Sequence, residues 1–105
     1  SDAPVDSPNP FWGLFAATAR RQPGSPVEAG WFPEERVSLQ DALLAYTAGA
    51  AFAAGAEKRQ GQLAPGYFAD LIVLDEDPFV LTEDELRKVK PSGVMVGGEW
   101  VRREF

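Results

Sequence analysis

The stretch "GQLAPGYFADLIVLDEDPF", residues 61–79, carries the strongest strand signal in the chain and decides the fold class. Pro65-Gly66 predicts a type II turn, with Gly at the position that requires a positive φ. The apolar run that follows, residues 71–74, is typical of a strand buried on both faces. We therefore predict a buried strand at 68–75, which the polar residues from Asp75 to Pro78 terminate.

The C-terminal side of this stretch predicts a short helix and a hairpin. Thr82 and Glu85 have the spacing of a capping box, which indicates a helix near 83–88. Gly97-Gly98 lies between two short apolar runs, a pattern that predicts a β-hairpin over 94–103. The hairpin is the only partner that the sequence offers to the strand at 68–75, so the predicted sheet is small.

The N-terminal side predicts helices joined by an irregular connection. Asn9 followed by Pro10 is typical of a helix start, and the helix is predicted over 10–21. Residues 22–35 are irregular, with Trp31 and Phe32 as the only obvious anchors. The whole chain is therefore predicted to be an α+β protein with its helices first and its strands last.

A second helix is predicted to begin at Ser38, which forms a capping-box spacing with Asp41. Gly49 weakens this helix, and Thr47 is a candidate cap for a second short helix after a bend. Apolar residues recur along one face at steps of three and four, so we expect that face in the core. These residues are Leu39, Leu43, Tyr46, Ala50 and Ala53.

Composition excludes several classes of function. The chain has 105 residues, enough for one ordinary domain, and its net charge of −6 disfavours nucleic acid and anionic membranes as partners. It contains neither Cys nor His, which removes thiolate zinc sites, the commonest metal ligand and the commonest general base. No bilayer-spanning run and no signal peptide are recognisable, so we expect a cytoplasmic protein.

Four segments in a fixed order resemble the C-terminal end of the amidohydrolase superfamily, in particular hydrolases of the amidohydrolase 3 type. They are "SDAPV" (1–5), "VSLQDALLAYTAGAAFAAG" (37–55), the stretch 61–79 and "VMVGGEWVRR" (94–103). The resemblance implies a metal-dependent (β/α)8 barrel joined to a small β-sandwich. It implies that residues 1–60 are the mainly helical end of the barrel and that residues 61–105 are the C-terminal share of the sandwich.

The resemblance also assigns a role to Asp2, which corresponds to the family's aspartate after the last barrel strand. The resemblance implies that Asp2 is a ligand of the catalytic metal, with zinc as the expected metal. It also implies that Asp2 is the general base toward the metal-bound water. The family's histidine ligands have no counterpart in this sequence. We therefore expect the chain to be a fragment of an enzyme that hydrolyses C–N bonds in amides or cyclic amides, inactive and metal-free by itself. Its partner would be the remainder of the parent hydrolase, and its small-molecule substrate is left open.

A second interpretation is a non-catalytic α+β module that binds a partner or another copy of itself through an uncovered sheet edge. Other polar and aromatic residues favour structural roles over catalytic ones. Asp70 is predicted to bond local backbone N–H groups, and Asp75–Asp77 to be a solvated strand end that lacks the pattern of a calcium loop. Trp100 is predicted to pack in the hairpin, whereas Phe11 or Trp12 could line a substrate pocket.

Overall fold

A computed structural model of the chain describes residues 2–105 and shows a small α+β protein with one three-stranded sheet. Four α-helices, a π-helical turn and three strands make up its main elements. They are α1 (Pro10–Ala19), α2 (Leu39–Leu44), the π-helical turn Ala45–Gly49, α3 (Ala50–Ala53), β1 (Leu71–Val73), α4 (Glu83–Leu86), β2 (Gly93–Val96) and β3 (Glu99–Arg103). Short 3-10 turns lie at Val27–Ala29, Pro33–Glu35 and Pro78–Val80.

The chain divides into two compact units. One unit combines the chain up to Leu43 with Pro78–Val89, and the other combines Leu44–Asp77 with Lys90–Phe105. Most of the segment between β1 and β2, Pro78–Val89, thus belongs to the helical unit, whereas α3 belongs with the sheet. The predicted division into 1–60 and 61–105 refers to the barrel and the sandwich of a larger protein, and it stays a prediction.

Helix α1 begins where the sequence predicts and supplies most of the core of the first unit. Asn9 caps it by accepting a hydrogen bond of 3.0 Å from the N–H of Phe11, and Pro10 occupies the first helical position. The helix ends at Ala19 rather than at residue 21, because Arg20 adopts a left-handed conformation with φ of 48°. Its buried side chains are Phe11, Leu14, Phe15 and Ala19.

Helix α4 packs on α1. The capping box predicted for Thr82 and Glu85 is present at its start. Thr82 Oγ1 accepts from the N–H of Glu85, and Glu85 Oε2 accepts from the N–H of Thr82 at 2.8 Å. Leu86, on the last turn, is almost completely buried. The helix ends there, two residues earlier than predicted, because only one turn lies between the cap and the return to the sheet.

The helix that begins after Ser38 contains an irregularity, but it is not the predicted second cap. Ser38 Oγ accepts from the N–H of Asp41 at 3.0 Å, which confirms the helix start. Thr47 lies inside the π-helical turn, and Gly49 keeps helical angles with φ of −65°. Thr47 is therefore not a helix cap, because the helix continues through the π-helical turn instead of restarting after a break.

The expectation that the apolar face of this helix lies in the core is wrong for three of its five residues, whereas Leu39 and Leu43 are half-buried. Tyr46 is 48% exposed, and Ala50 and Ala53 are exposed as well. The buried positions are instead Ala42 and Ala51, and Gly61 approaches Ala51 closely. Periodicity identified the apolar residues correctly, but burial depends on which surface packs against them.

The sheet has the order β1-β2-β3, and both pairs are antiparallel. Gly97 and Gly98 form the hairpin turn with φ of 59° and 86°, as their spacing predicts, and a bulge shifts the register between Val94 and Met95. Strand β1 lies at the edge and Ile72 is 50% exposed, so the prediction of burial on both faces is wrong. Strand β1 is also shorter than predicted and begins at Leu71. The backbone N–H of Phe68 donates to the carbonyl of Arg59, which lies outside the sheet.

The turn before β1 confirms the type II prediction. Gly66 has φ of 87°, and the N–H of Tyr67 donates to the carbonyl of Ala64 at 3.1 Å across Pro65 and Gly66. No helix in the part of the chain that the structure describes is long and apolar enough to cross a membrane.

Candidate functional site

Asp2 lies in an exposed turn at the start of the described chain. Its carbonyl oxygen accepts a hydrogen bond of 2.8 Å from the N–H of Val5, and the turn includes a cis peptide bond before Pro4. The backbone of Asp2 is left-handed, with φ of 51°, a conformation that non-glycine residues rarely adopt outside turns. The carboxylate is exposed to solvent.

A series of short-range hydrogen bonds connects this turn to helix α1. Asp6 Oδ1 accepts from the N–H of Ser7 at 2.7 Å, and Ser7 Oγ accepts from the N–H of Asn9 at 3.2 Å. Asn9 in turn caps α1 through the N–H of Phe11, which is buried. Local side-chain hydrogen bonds thus order the residues between the turn of Asp2 and the start of α1.

The residues present do not fit a complete metal site. Nowhere among residues 2–105 do three or more His, Cys, Asp or Glu side chains come together in a way that could hold a metal ion. The sequence has no His or Cys, and a metal site built from a single carboxylate is not stable in proteins. Asp2 could therefore contribute only one ligand, and its predicted role as ligand and base stays a prediction.

Asp70 has the structural role that the sequence predicts, but its partner is distant in the chain. Its Oδ1 accepts a hydrogen bond of 2.7 Å from the N–H of Gly97, at the hairpin turn. Its Oδ2 lies 3.4 Å from the side-chain nitrogen of Gln60. The expectation of local bonds is wrong in this respect, because the antiparallel pairing of β1 and β2 brings the hairpin turn to the start of β1.

The acidic run after β1 is exposed, as predicted for a solvated strand end. Asp75, Glu76 and Asp77 all face solvent, and they belong to no group of metal-ligating side chains that the structure describes. They therefore give no indication of a calcium site.

The tryptophans have three different environments. Trp100 packs edge-on against Phe105 with ring centroids 5.4 Å apart, which confirms its packing role. Trp12 is partly exposed, with the guanidinium of Arg87 5.5 Å from its ring centre. Trp31 is 72% exposed and Phe32 is exposed beside it, so the expectation that they anchor the connection is wrong.

Arg21 forms an ion-pair cluster that the sequence did not reveal. Its side chain is only 4% exposed, and its Nη2 lies 3.1 Å from Glu83 and 3.0 Å from Asp84. Its Nη1 donates to the carbonyl of Ser25, and the N–H of Gly24 donates to Asp84 at 2.9 Å. The cluster fixes α4 and the loop after α1 to each other within the first unit.

These contacts shift the pKa of both ends of the cluster. The hydrogen bond from the N–H of Gly24, followed by the one from Arg21, lowers the pKa of Asp84 below its ordinary value of 3.8. The hydrogen bond to Asp84 is the main cause that raises the pKa of Arg21. The cluster could not be predicted, because Arg21 is more than 60 positions from Glu83 and Asp84 in the chain. The sequence identified Glu83 and Asp84 only as acids in a first helical turn.

The second unit contains an open groove of about 550 Å³. It is lined by the π-helical turn and α3 on one side and by residues 70–72, at the start of β1, on the other. Its lining is mainly apolar, and the polar side chains in it belong to Tyr46, Thr47, Gln60, Gln62 and Asp70. Asp70 and Gln60 already contact each other, and Asp70 also holds Gly97. The groove therefore offers apolar surface rather than a set of reactive groups.

Comparison with known proteins gives a consistent family result. The model of the amidohydrolase family matches residues 1–102. The chain is similar to a putative amidohydrolase, YtcJ, of Bacillus subtilis (30% identity over 96% of this chain and 19% of the relative). It is also similar to the protein LONG AFTER FAR-RED 3 of Arabidopsis thaliana (36% identity, 94% and 16%) and to an N-substituted formamide deformylase of Arthrobacter pascens (34% identity, 93% and 18%).

The chain spans less than a fifth of the length of these curated relatives. No solved structure matches it significantly. The small α+β architecture with its three-stranded sheet is compatible with a piece of such a hydrolase.

Proposed function

Because this chain belongs to the amidohydrolase family, we propose that it is the C-terminal part of a metal-dependent hydrolase that cleaves the C–N bond of an amide or a cyclic amide. The observation that supports this most directly is the family match over residues 1–102, which includes Asp2. One relative is named for the deformylation of N-substituted formamides, which are amides, and this favours C–N hydrolysis as the reaction class. The family is generally metal-dependent, and zinc is the metal that we expect in the parent enzyme.

Within this proposal, Asp2 supplies one carboxylate to a site that residues outside this sequence complete. The side chains of Asp6, Ser7 and Asn9 hold the segment that carries it at the start of α1. A carboxylate placed in this way can bind a cation or accept a proton from a nearby group. The isolated chain is expected to be inactive, because it lacks the histidines that would complete such a site.

The test uses the parent protein with this chain as its C-terminal part. Release of formate or amine from a panel of N-substituted formamides, linear amides and cyclic amides measures C–N hydrolysis. We expect Asp2→Asn to lower kcat by at least about 100-fold, as removal of a general base does. Asp6→Asn is the matched control, since it changes a nearby carboxylate that bonds only Ser7, and it should retain most of the activity.

Two outcomes would contradict the proposal at different levels. Full activity of Asp2→Asn would remove the role of Asp2 but leave the reaction class intact. A folded parent protein that hydrolyses no member of the panel would remove the reaction class itself. Metal content, measured by mass spectrometry, tests the metal part of the proposal, because the parent should hold metal and the isolated chain should hold no stoichiometric metal.

A second candidate function is self-association of this chain as a non-catalytic module. Every residue of β3 is exposed, and β3 is an outer strand of the sheet. An uncovered strand edge is a template for pairing with another chain. The measurement that tests this candidate is the size of the isolated chain in dilute solution.

A further inference from the structure

A second feature of the first unit points to a ligand that the proposed function does not require. At the C-terminal end of α1 the surface forms an open groove of about 470 Å³. It is lined by Ala16, Arg20, Arg21, Gln22, Ala29 and Trp31. The groove therefore combines cationic and amide side chains with one large aromatic ring.

Two hydrogen bonds join Arg20 to the backbone of Trp31, the two principal residues of the groove. The N–H of Trp31 donates to the carbonyl of Arg20 at 2.7 Å, and Arg20 Nε donates to the carbonyl of Trp31 at 3.0 Å. The guanidinium carbon of Arg20 lies 5.9 Å from the centre of the indole ring. Phe32, with a left-handed backbone, packs its ring 5.0 Å from that of Trp31. The backbone of Trp31 is thus fixed to Arg20, and its exposed indole lies beside the guanidinium group.

Two of the last carbonyl groups of α1, at the negative end of its dipole, already accept hydrogen bonds. The carbonyl of Ala17 accepts from the N–H of Val37 at 3.2 Å, and that of Ala19 accepts from Arg36 Nε at 3.1 Å. Their partners are a backbone N–H and a guanidinium, so the helix end presents few free acceptors.

The groups that stay free at the groove are mainly donors. The terminal nitrogens of Arg20, the indole N–H of Trp31 and the amide of Gln22 have no hydrogen-bond partner among residues 2–105. Arg20 also forms no ion pair with any carboxylate that the structure describes. Arg21 differs, since Glu83 and Asp84 already neutralise it. The available charge at the groove is therefore the single positive charge of Arg20.

We propose that this groove binds a small aromatic carboxylate. The carboxylate accepts hydrogen bonds from the terminal nitrogens of Arg20, whose planar fork matches a carboxylate in geometry. The ring of the ligand packs on the exposed indole of Trp31, as aromatic pairs do at 4.5–7 Å between centroids. Gln22 is placed to donate a further hydrogen bond from its amide.

The test measures binding of benzoate to the 105-residue chain by titration with NMR observation of the indole N–H signals. A ligand of about nine non-hydrogen atoms is expected to bind with a dissociation constant on the order of 1 mM. The signal assigned to Trp31 by means of Trp31→Phe should shift, while those of Trp12 and Trp100 should not. Cyclohexanecarboxylate, which keeps the charge but loses the aromatic ring, should bind several-fold more weakly.

Variants decide which groups bind the ligand. We expect Arg20→Gln to weaken benzoate binding at least tenfold, whereas Arg59→Gln, an equal change of charge in the other unit, should have no effect. Trp31→Leu should weaken benzoate but leave cyclohexanecarboxylate nearly unchanged. Thermal melting monitors folding, and Gln22→Ala provides a milder change at the groove if Arg20→Gln melts early.

Three results would overturn the proposal. One is the absence of any shift of the Trp31 signal at 20 mM benzoate, a concentration about 20-fold above the expected dissociation constant. Another is equal affinity of the Arg20→Gln and Arg59→Gln variants. The third is equal affinity for benzoate and cyclohexanecarboxylate, which would remove the aromatic part of the inference. None of these results bears on the role of Asp2.

Discussion

The carboxylate of Asp70 accepts a hydrogen bond of 2.7 Å from the N–H of Gly97, a residue 27 positions later in the chain. This bond, with the one from the N–H of Gly98 to the carbonyl of Ala69 at 3.1 Å, fixes the hairpin turn to the start of β1. The sheet is small, so a contact at its end contributes to the register of both strand pairs.

We expect Asp70→Ala to lower the free energy of unfolding by about 1 kcal/mol, because it removes the acceptor for an exposed, charge-assisted hydrogen bond. Urea denaturation followed by circular dichroism measures this loss. Asp70→Asn keeps an acceptor oxygen and should lose less. Asp75→Ala, which removes an exposed carboxylate of the same unit, is the control, and an equal loss in Asp75→Ala would contradict the assigned contact.

Local rules predicted the turns and helix starts correctly. The capping box of Thr82, the cap at Asn9, the turn at Gly66 and the hairpin at Gly97 each depend on residues within a few positions of one another. Such patterns can be read from one sequence, because the interacting groups are neighbours in the chain.

Burial and long-range contacts could not be predicted in the same way. The periodicity of Leu39, Leu43 and Tyr46 identifies an apolar face, yet Tyr46 is exposed because no described element covers it. The contacts of Arg21 with Asp84 and of Asp70 with Gly97 depend on how distant segments pack. For the candidate site, the sequence identified Asp2 only through resemblance, whereas the pairing of Arg20 with Trp31 required coordinates.

The ion-pair cluster of the first unit predicts a dependence of stability on pH. The pKa of Asp84 is lowered in the folded chain, so its carboxylate stabilises the fold above its ordinary pKa, and this contribution is lost as the pH falls through the folded-state value. Urea denaturation at several pH values below about 4 should therefore show a steep loss of stability. The hydrogen bond from the N–H of Thr82 is the main cause that lowers the pKa of Glu85. Protonation of Glu85 at low pH should therefore also reduce stability.

Substitution of Asp84 isolates its share of this effect. Asp84→Asn should be less stable than the wild type at pH 7 and should lose less stability on acidification. Asp75→Asn makes the same change of charge at an exposed position outside the cluster and serves as control. Arg21→Met should lower stability at pH 7 more than Arg102→Met does, because Arg21 is buried and Arg102 is exposed. Parallel pH curves for Asp84→Asn and the wild type would contradict this assignment.

Gly61 approaches the π-helical turn and Ala51 closely in the second unit. A Cβ at this position would lie 2.8 Å from the Cβ of Ala51 and 2.9 Å from the carbonyl oxygen of Thr47, and the backbone has φ of 88°. Gly61→Ala should therefore cost roughly 2–4 kcal/mol, the sum of overpacking and a left-handed alanine. The midpoint of thermal unfolding, together with urea denaturation, measures the loss.

Gly55→Ala is the matched control for this prediction. Gly55 also has a positive φ, 67°, but a Cβ there would meet no atom within 4 Å. Gly55→Ala should therefore lower the free energy of unfolding only by the cost of a left-handed alanine, about 1 kcal/mol. Equal losses in the two variants would show that the approach of Gly61 to the π-helical turn does not contribute to stability.

The exposed edge of β3 predicts that the isolated chain associates with itself. The strand has no partner on its outer side among the described strands, and Val101 is an exposed apolar residue at its centre. Sedimentation velocity at several concentrations should show dimers or larger species, with the proportion rising as the concentration rises.

Val101→Lys should shift the population toward monomer, because a charged side chain on an edge opposes strand pairing. Val27→Lys adds the same charge at an exposed apolar position of the other unit and should leave association unchanged. A monomer at every concentration would exclude the self-associating module, and equal association of both variants would place the contact elsewhere than on β3.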